Sequence, residues 1–309
     1  MTQSTVGIVG LGIIGGAFAK NLIAAGWRVI GYDIDPTRRR ALARAGVEIA
    51  AGAGQVAAAA PTIILSLPSP GALAETVAAI VGARARPRVI VETSTFSLDD
   101  KLDAERALRA GGHVMLDCPV SGTGAQAKRR DIVVYASGDA KTIKRLRPLF
   151  DGFARATHDL GAFGNGSRMK FVANLLVAIH NVASAEAMVL GMKAGLDPQL
   201  IYDMVVSGAG NSRIFELRGP MMVRNRYDEP TMKVVVWQKD MAVIGEFAKS
   251  LRCPTPLLAA SRPIYAAALA EGHAAHDTAS VCAVLEARAG LKRRKRGNKP
   301  TVRARHTKA

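Results

Sequence analysis

The segment TVGIVGLGIIGGAFAK, residues 5–20, decides the fold of the first half of the chain. It joins a β-branched run to a helix-forming run through glycines with G-x-G-x-x-G spacing, Gly10, Gly12 and Gly15. In a strand–turn–helix unit the first glycine makes the tight turn, the second lets a pyrophosphate approach the backbone, and the third lets the helix pack on the strand. The N-terminus of the helix adds free N–H groups and a positive dipole end. The segment therefore predicts a dinucleotide-binding loop, whose other members are Leu11, Ile13 and Ile14.

An acidic residue ends the second predicted strand, RVIGYD at 28–33. This residue, Asp33, lies eighteen positions after Gly15. A carboxylate there hydrogen-bonds the ribose hydroxyls of the adenosine and repels a 2′-phosphate, so it favours NAD as the cofactor. The arginines at 38–40 leave NADP open, because an arginine that faces the site binds that phosphate.

Short β-branched runs alternate with alanine-rich amphipathic segments through the first half of the chain, which predicts βαβ units and a mainly parallel sheet. The predicted strands are 6–10, 28–33, 62–67, 88–94, 113–120 and 131–138. After about residue 165 long helical patterns dominate, and only MKVVVW at 232–237 stays ambiguous. We therefore expect an α/β domain with a doubly wound sheet at 1–164 and an all-helical domain at 165–291, which a long helix starting near Arg168 opens.

The positive charge of the chain is concentrated at its C-terminus. Net charge is +17, and nine lysines and arginines with no acid lie in residues 292–309, so the remaining chain carries +8. Such a segment has almost nothing to bury, and we expect it to be a disordered, solvated tail. Weak, nonspecific binding to polyanions is the alternative, and no specific nucleic-acid partner is expected.

Cysteine usage and the absence of export signals favour the cytoplasm. Cys118, Cys253 and Cys282 are far apart and form no CxxC pair, which argues against a disulfide framework and a structural zinc site. No cluster of histidines and acids has metal-ligand spacing, so no metal is expected. The N-terminus lacks the pattern of a signal peptide, and polar residues interrupt the long apolar helix, so we expect no membrane association.

One polar pair interrupts that helix, in GNGSRMKFVANLL at 164–176. Lys170 and Asn174 are four residues apart and therefore lie on one helical face. On the residues alone, the pair fits either a surface lysine beside a satisfied polar group or two side chains that act together.

Several ordered motifs make the chain resemble the β-hydroxyacid dehydrogenase family, which includes the 3-hydroxyisobutyrate, tartronate semialdehyde, L-threonate and 6-phosphogluconate dehydrogenases. The resemblance runs from about residue 5 to 290 and implies a Rossmann-like first domain, a helical second domain and pairing of subunits through the helical domains. The motifs are GLGIIGGAFAKNLIAAG (10–26), LPS (67–69), ETSTFS (92–97), DCPVSGTGAQA (117–127), GNGSRMKFVAN (164–174), AEAMVLGMKAGLD (185–197) and the pair Lys239–Asp240.

The resemblance implies a catalytic role for Lys170 and a substrate-orienting role for Asn174. Oxidation of an alcohol by hydride transfer requires the hydroxyl proton to leave, and a lysine amine accepts it if burial or a nearby positive charge lowers its pKa. The amide of Asn174, one turn further on, would hold a substrate oxygen in register with the nicotinamide.

The resemblance also implies roles for residues in four loops. Those at 119–124 and 210–218 would line the substrate pocket. The family more often has a glycine in place of Thr123 and an aromatic residue in place of Arg213. The arginine could bind a second carboxylate or point outward. The implied substrate-binding residues are Ser121, Gly122, Thr123 and Arg213. The implied residues beside the nicotinamide and its ribose are Leu67, Pro68, Thr95 and, from the second domain, Lys239.

The expected function is hydride transfer between NAD and a hydroxy acid, either a β-hydroxy acid or a sugar acid of the threonate type, by a homodimer or homotetramer. The main alternative is an NADPH-dependent reductase of small aldehydes such as glyoxylate or succinic semialdehyde. Imine reductases share the architecture, but usually lack the lysine at Lys170. A non-catalytic nucleotide- or polyanion-binding protein is the alternative from another class.

Overall fold

Strands and helices alternate from Thr5 to Asp117 in the computed structural model of the chain, which describes residues 4–293. Within these residues the main sheet has six parallel strands: β1 (Thr5–Val9), β2 (Arg28–Tyr32), β3 (Glu48–Ile49), β4 (Thr62–Leu65), β5 (Val89–Glu92) and β6 (Val114–Asp117). Their order is β3-β2-β1-β4-β5-β6, which reverses between β1 and β4. A doubly wound sheet binds its ligand at this reversal, outside the carboxyl ends of the strands. The predicted α/β class is confirmed.

Helices cover both faces of this sheet, because alternate residues of each strand point to opposite sides. Ile64 packs in one apolar cluster with Phe18 and Leu22, whereas Ile63 and Leu65 pack in another on the opposite face. The helices of this layer are α1 (Ile13–Ala24), α2 (Pro36–Ala43), α3 (Ala53–Ala59), α4 (Pro70–Gly82) and α5 (Leu98–Ala110).

A second, three-stranded sheet follows. It consists of β7 (Val120–Ser121), β8 (Val133–Ala136) and β9 (Ala156–Asp159), with α6 (Gly124–Lys128) between β7 and β8 and with α7 (Ala140–Arg145) and α8 (Arg147–Phe153) between β8 and β9. The single strand predicted at 113–120 was wrong in this respect: it splits at Cys118–Pro119, where the chain passes from the first sheet to the second. Strands β3 and β9 were not predicted, because EI and ATHD carry no apolar run.

The second half of the chain is helical, as predicted. Its elements are α9 (Asn165–Lys193), α10 (Pro198–Ser207), α11 (Arg213–Arg224), α12 (Val234–Ser250), α13 (Pro256–Ala270), a 3-10 turn (Thr278–Ser280) and α14 (Val281–Arg288). The ambiguous run 232–237 enters α12. Its buried residues Val234, Trp237 and Met241 recur at helical spacing, so their period outweighs the β propensity of the valines.

The long helix α9 is the central helix of this domain, and its buried positions Ala178, Ala185 and Met188 pack among the other helices. By length and composition alone, α9 is the one described helix that could cross a membrane. It starts three residues before the predicted Arg168, and the predicted boundary at 164/165 falls between β9 and α9.

The predicted tail at 292–309 lies mostly outside the described residues, which end at Arg293. Arg293 itself is docked on the helical domain. Its guanidinium donates hydrogen bonds to Glu286 Oε2 at 2.9 Å and to the carbonyl oxygens of Met222 and Val223 at 2.6 and 2.9 Å.

Candidate active site

The glycine loop has the geometry that its spacing predicts. Gly10 has a φ of +91°, and a Cβ built there would lie 2.1 Å from the carbonyl oxygen of Ser66. A Cβ at Gly15 would lie 1.9 Å from the carbonyl oxygen of Gly10, so strand and helix pack too closely for a side chain. At Gly12 the nearest atom to such a Cβ is Arg38 Nη1, at 3.6 Å. The backbone at Gly12 is therefore open to an approaching group.

The three aliphatic residues of the loop differ in their surroundings. The Leu11 N–H is already bound to Asp33 Oδ2 at 2.7 Å, so it does not point at a phosphate. Ile13 is 73% exposed, and Ile14 packs partly against the core. Within residues 4–293 no side chain caps α1 at Gly12, so the first N–H groups of the helix are available. This uncapped N-terminus fits a cofactor pyrophosphate.

Asp33 is buried and fixed by the backbone. Its two carboxylate oxygens accept the N–H groups of Leu11 and Asp35, at 2.7 and 2.8 Å. Arg38 reaches over the same carboxylate, with Nη1 3.5 Å from Asp33 Oδ2, whereas Arg39 stacks over the Tyr32 ring. Of the predicted arginines, Arg38 thus lies where the adenosine ribose of a dinucleotide is expected.

The loops after β4 and β5 are tied to each other. The Leu67 N–H donates to Ser94 Oγ at 2.8 Å, and Pro68 next to it is exposed. The loop that contains Thr95 is tied to the second domain as well, because Lys239 Nζ donates to the Thr95 carbonyl oxygen at 2.8 Å. Lys239 also lies over the Phe96 ring, 5.0 Å from its centre. Lys239 therefore bridges the cleft.

Lys170 and Asn174 face this cleft together with a carboxylate. The Asn174 amide donates to Asp240 Oδ2 at 3.1 Å, and Asp240 Oδ1 lies 3.6 Å from Lys239 Nζ. The Lys170 ammonium makes no hydrogen bond or ion pair with any residue in the range 4–293. Burial lowers the pKa of Lys170; Asp240 opposes this, and the nearby Lys239 and Lys101 add to it. An unpaired amine with a lowered pKa can exchange a proton with a ligand.

The predicted substrate loop lies against the glycine loop, since a Cβ at Gly124 would lie 2.4 Å from Ile13 Cγ2. In the described part of the chain the Ser121 hydroxyl and the Gly122 N–H have no hydrogen-bond partner, so both can receive a ligand. Thr123 differs: its N–H donates to Gln126 Oε1 at 3.0 Å, and its hydroxyl caps α6. Its backbone N–H is therefore not available for an anion.

Arg213 is the predicted site residue that stands apart. Its guanidinium is 66% exposed and pairs with Glu216 at 2.7 Å. The pKa of Asp131, on the far side of the substrate loop, is lowered mainly by the Gln126 hydrogen bond and then by Arg155, with a smaller contribution from Arg213. Arg213 thus lies exposed near Asp131, and it is not among the charges that shift the pKa of Lys170.

Sequence reasoning missed a buried charged group under the cleft. Lys101 is fully buried between Glu92 and Asp117, with its Nζ 2.7 Å from a carboxylate oxygen of each. The signal was present: Lys101, Ala104 and Leu108 form the buried stripe of α5 at helical spacing. A lysine on an apolar stripe is unusual, but the acidic neighbours of Lys101 in LDDKLDAE are typical of a solvent-exposed lysine.

These features define a class. A doubly wound sheet with an uncapped glycine loop and a buried carboxylate after β2 is a nicotinamide dinucleotide-binding domain. Across the cleft a second domain contributes an unpaired lysine, an asparagine and a bridging lysine. Within the described residues, no three histidine, cysteine, aspartate or glutamate side chains converge as metal ligands do.

Comparison with known proteins identifies the family. The NAD binding domain of 6-phosphogluconate dehydrogenase matches residues 5–163, and the NAD-binding model of NADP-dependent 3-hydroxyisobutyrate dehydrogenase matches residues 164–285. An L-threonate dehydrogenase from Pectobacterium atrosepticum is 33% identical over 89% of this chain and 92% of its own. A glyoxylate/succinic semialdehyde reductase from Arabidopsis thaliana is 28% identical over 92% of this chain and 80% of its own.

A solved structure agrees with these sequence matches. The 3-hydroxyisobutyrate dehydrogenase from Salmonella typhimurium is 30% identical, has a TM-score of 0.82 and covers 91% of this chain and 100% of that one. The chain belongs to the β-hydroxyacid dehydrogenase family, and the resemblance drawn from the sequence motifs is confirmed. Its activity is that of an NAD(P)-dependent hydroxyacid dehydrogenase.

Proposed function

We propose that the protein oxidises a sugar acid of the threonate type, or a related β-hydroxy acid, with NAD as the hydride acceptor and Lys170 as the general acid/base. The observation that carries this proposal is the unpaired Lys170 in a cleft where neighbouring charges are otherwise paired. The bound nicotinamide supplies the acceptor for the hydride. The chain itself has to hold the substrate, remove its hydroxyl proton and keep the substrate aligned with the nicotinamide.

Lys170 takes the hydroxyl proton during oxidation and returns it during reduction. Burial and the charges of Lys239 and Lys101 favour its neutral form, which is the form that accepts a proton. Asn174 is held by Asp240 through one amide hydrogen, so its orientation is fixed before substrate arrives. Its remaining amide hydrogen or its oxygen then binds a substrate oxygen.

The carboxylate of the substrate is bound by the loop between β7 and α6. The free Ser121 hydroxyl and Gly122 N–H are the donors for it. Gly122 has a φ of +140°, and a Cβ there would lie 2.6 Å from Ile132 Cγ2, so this approach depends on glycine. Thr123 shapes the loop through the capping box and contributes no N–H to the anion.

NAD is the preferred cofactor in this proposal. Two backbone N–H groups hold the Asp33 carboxylate in place, and this negative charge would repel the 2′-phosphate of NADP. Arg38 is the one observation for the alternative, an NADPH-dependent reductase of small aldehydes, which one relative's name also suggests. Arg38→Ala should leave an NAD-dependent enzyme active. In an NADP-dependent enzyme the same variant should weaken NADP binding by about tenfold or more, since the arginine that binds the 2′-phosphate is lost.

A soluble, cytoplasmic homodimer or homotetramer is proposed, without a membrane or a specific nucleic acid as partner. Support for self-association comes from apolar side chains that the helical domain leaves exposed, among them Leu176, Leu190, Leu200, Met204 and Leu257. Any of these side chains that pack on a second copy would be removed from water.

A turnover screen tests the proposal. Purified protein is given NAD or NADP with L-threonate, 3-hydroxyisobutyrate and other hydroxy acids, and the reduced cofactors with glyoxylate and succinic semialdehyde, while absorbance of the reduced nicotinamide is followed. Oxidation of a four-carbon sugar acid with NAD is the expected result. Turnover confined to NADPH and a small aldehyde would replace the proposal with the reductase, and the role of Arg38 would then be central.

A further inference from the structure

The buried group around Lys101 lies between the two halves of the proposed site. Lys101, Glu92 and Asp117 each have no exposed surface, and the lysine Nζ is 2.7 Å from Glu92 Oε2 and 2.7 Å from Asp117 Oδ1. Burial alone would lower the pKa of Lys101, but the carboxylates outweigh it and raise the pKa above its ordinary value. Lys101 is therefore a fixed ammonium group, unlike Lys170.

One carboxylate of this group holds the start of the lysine-bearing helix. Asp117 accepts the Ser167 N–H at 2.7 Å and the Ser167 hydroxyl at 2.8 Å. Ser137, which is bonded to Asp117, accepts the Gly166 N–H at 2.9 Å. The N-cap residue of α9 is a glycine with no side chain, so these groups from the sheet replace a cap. Lys170 follows Ser167 by one helical turn.

The other carboxylate holds the loops on the cofactor side. Glu92 Oε1 accepts the Ser94 N–H at 2.8 Å, and Ser94 Oγ accepts the Leu67 N–H at 2.8 Å. Lys101 thus joins two chains of hydrogen bonds, one that ends at the loops after β4 and β5 and one that ends at the first turn of α9.

Stability alone is a weak reason for such a group. Three charges taken out of water cost about as much as they return, and apolar side chains of similar size often stabilise a fold as well or better. A buried ion group does give a fixed geometry, since each of its contacts specifies a distance and a direction. The two hydrogen-bond networks end where the hydride acceptor, the nicotinamide, and the proton acceptor, Lys170, have to meet the substrate.

We propose that Lys101 is a positioning residue for hydride transfer, which fixes the first turn of α9 against the cofactor loops through Asp117 and Glu92. The inference rests on the proposed function of Lys170. It predicts that loss of Lys101 slows the hydride step while the binding of cofactor, whose glycine loop is at β1, stays nearly unchanged.

The test uses three variants of the full chain. Lys101→Met removes the charge at similar length. Lys101→Met combined with Glu92→Gln restores the charge balance of the buried group and serves if the single variant does not fold. Arg106→Met, a control, removes a positive charge from the exposed side of the same helix. Folding is checked by near-UV circular dichroism, and NAD affinity by quenching of intrinsic fluorescence.

Kinetics are measured with L-threonate or 3-hydroxyisobutyrate, whichever the wild type oxidises, in protonated form and deuterated at the carbinol carbon. For both folded Lys101 variants kcat should fall by about 10- to 100-fold, with NAD affinity within about threefold, because a misplacement of about 1 Å has this effect. The deuterium isotope effect on kcat should increase, which a smaller fraction of folded enzyme would not cause. Arg106→Met should match the wild type.

Two results would overturn the inference. One is wild-type kcat and isotope effect in the charge-balanced variant, which would mean that only charge compensation matters. The other is a loss of kcat with an unchanged isotope effect. Lys170→Met separates this inference from the proposed function: full turnover in that variant would remove the proposed role of Lys170, whereas its inactivity beside a normal Lys101 variant would remove only the role of Lys101.

Discussion

Two lysines beside one cleft have opposite electrostatic surroundings. Lys101, on the sheet side, contacts two buried carboxylates, and its pKa is raised. Lys170, on the helical side, has no partner among the described residues, and burial together with Lys239 and Lys101 lowers its pKa against the effect of Asp240. The two positions differ in the charges that face them and in exposure, because Lys101 has no exposed surface whereas Lys170 is partly exposed.

The difference separates a lysine that holds structure from one that can carry a proton. A paired ammonium keeps its proton over the working pH range, so it gives fixed geometry and no acid–base chemistry. An unpaired amine with a lowered pKa changes protonation state at modest free-energy cost, as a general acid/base must. The same residue type thus serves two purposes within one site.

The largest expected effect is on turnover by Lys170→Met. We expect kcat to fall by about 10² to 10⁴, because the proton acceptor for the substrate hydroxyl is lost. Unfolding free energy should stay nearly the same, since the Lys170 side chain is partly exposed and forms no hydrogen bond or ion pair that the variant would break. The measurement is steady-state kinetics beside urea unfolding. A variant with near-normal turnover would contradict the assignment of Lys170.

The second effect concerns stability and should be confined to the other lysine. Lys101→Met leaves two buried carboxylates without their cation, and breaking a buried pair in this way costs about 3–5 kcal/mol of unfolding free energy. The charge-balanced variant with Glu92→Gln should recover a good part of that loss. Urea unfolding of both variants measures it. A loss under about 1 kcal/mol for the single variant would show that water reaches the carboxylates.

The third effect is a shift in pH dependence. Oxidation needs neutral Lys170, so kcat/KM should rise with pH and level off below about 10.4, the ordinary lysine pKa. Asp240 favours the charged lysine, so Asp240→Asn should move this inflection to lower pH. Glu246→Gln, on the exposed side of the same helix, is the matched control. A shift to higher pH in Asp240→Asn would contradict the electrostatic account.

The fold and one pair of site residues could be predicted from residues that lie close together in the chain. The glycine spacing, the acidic residue after β2 and the alternation of strands predicted the α/β fold, because each depends on residues close together in the chain. The predicted positions of Lys170 and Asn174 on one helical face also follow from local spacing. These features need no knowledge of tertiary contacts.

The rest depends on contacts between distant residues. Lys101 meets Asp117 across sixteen positions, and Asp117 meets Ser167 across fifty, so neither contact leaves a local pattern. Thr123 is a local exception: it was predicted to bind the substrate, but its N–H is bound to Gln126, three positions further on, in a capping box that the sequence interpretation missed. The exposed position of Arg213 depends on where α11 begins against the substrate loop, which spacing alone does not determine.

The smallest expected effect comes from an ion pair with good geometry at the surface. Arg28 donates to both carboxylate oxygens of Glu48, at 2.7 and 2.6 Å, and links β2 to the edge strand β3. Glu48 has its pKa lowered by this hydrogen bond, so any stability that it adds is present at neutral pH and is lost as the pH falls through its folded-state pKa. Both side chains remain about half exposed, however, and water screens them.

Arg28→Gln should therefore leave the thermal midpoint unchanged within error, at low and at high salt, although its contacts are as short as those of Lys101. Differential scanning calorimetry measures this. A clear drop in the thermal midpoint that disappears at high salt would mean that exposure does not distinguish the Arg28–Glu48 pair from the buried group around Lys101. The contrast between buried and surface pairs would then have to rest on geometry alone. An unchanged midpoint places the difference in burial, since Lys101 has no exposed surface whereas Arg28 and Glu48 are about half exposed.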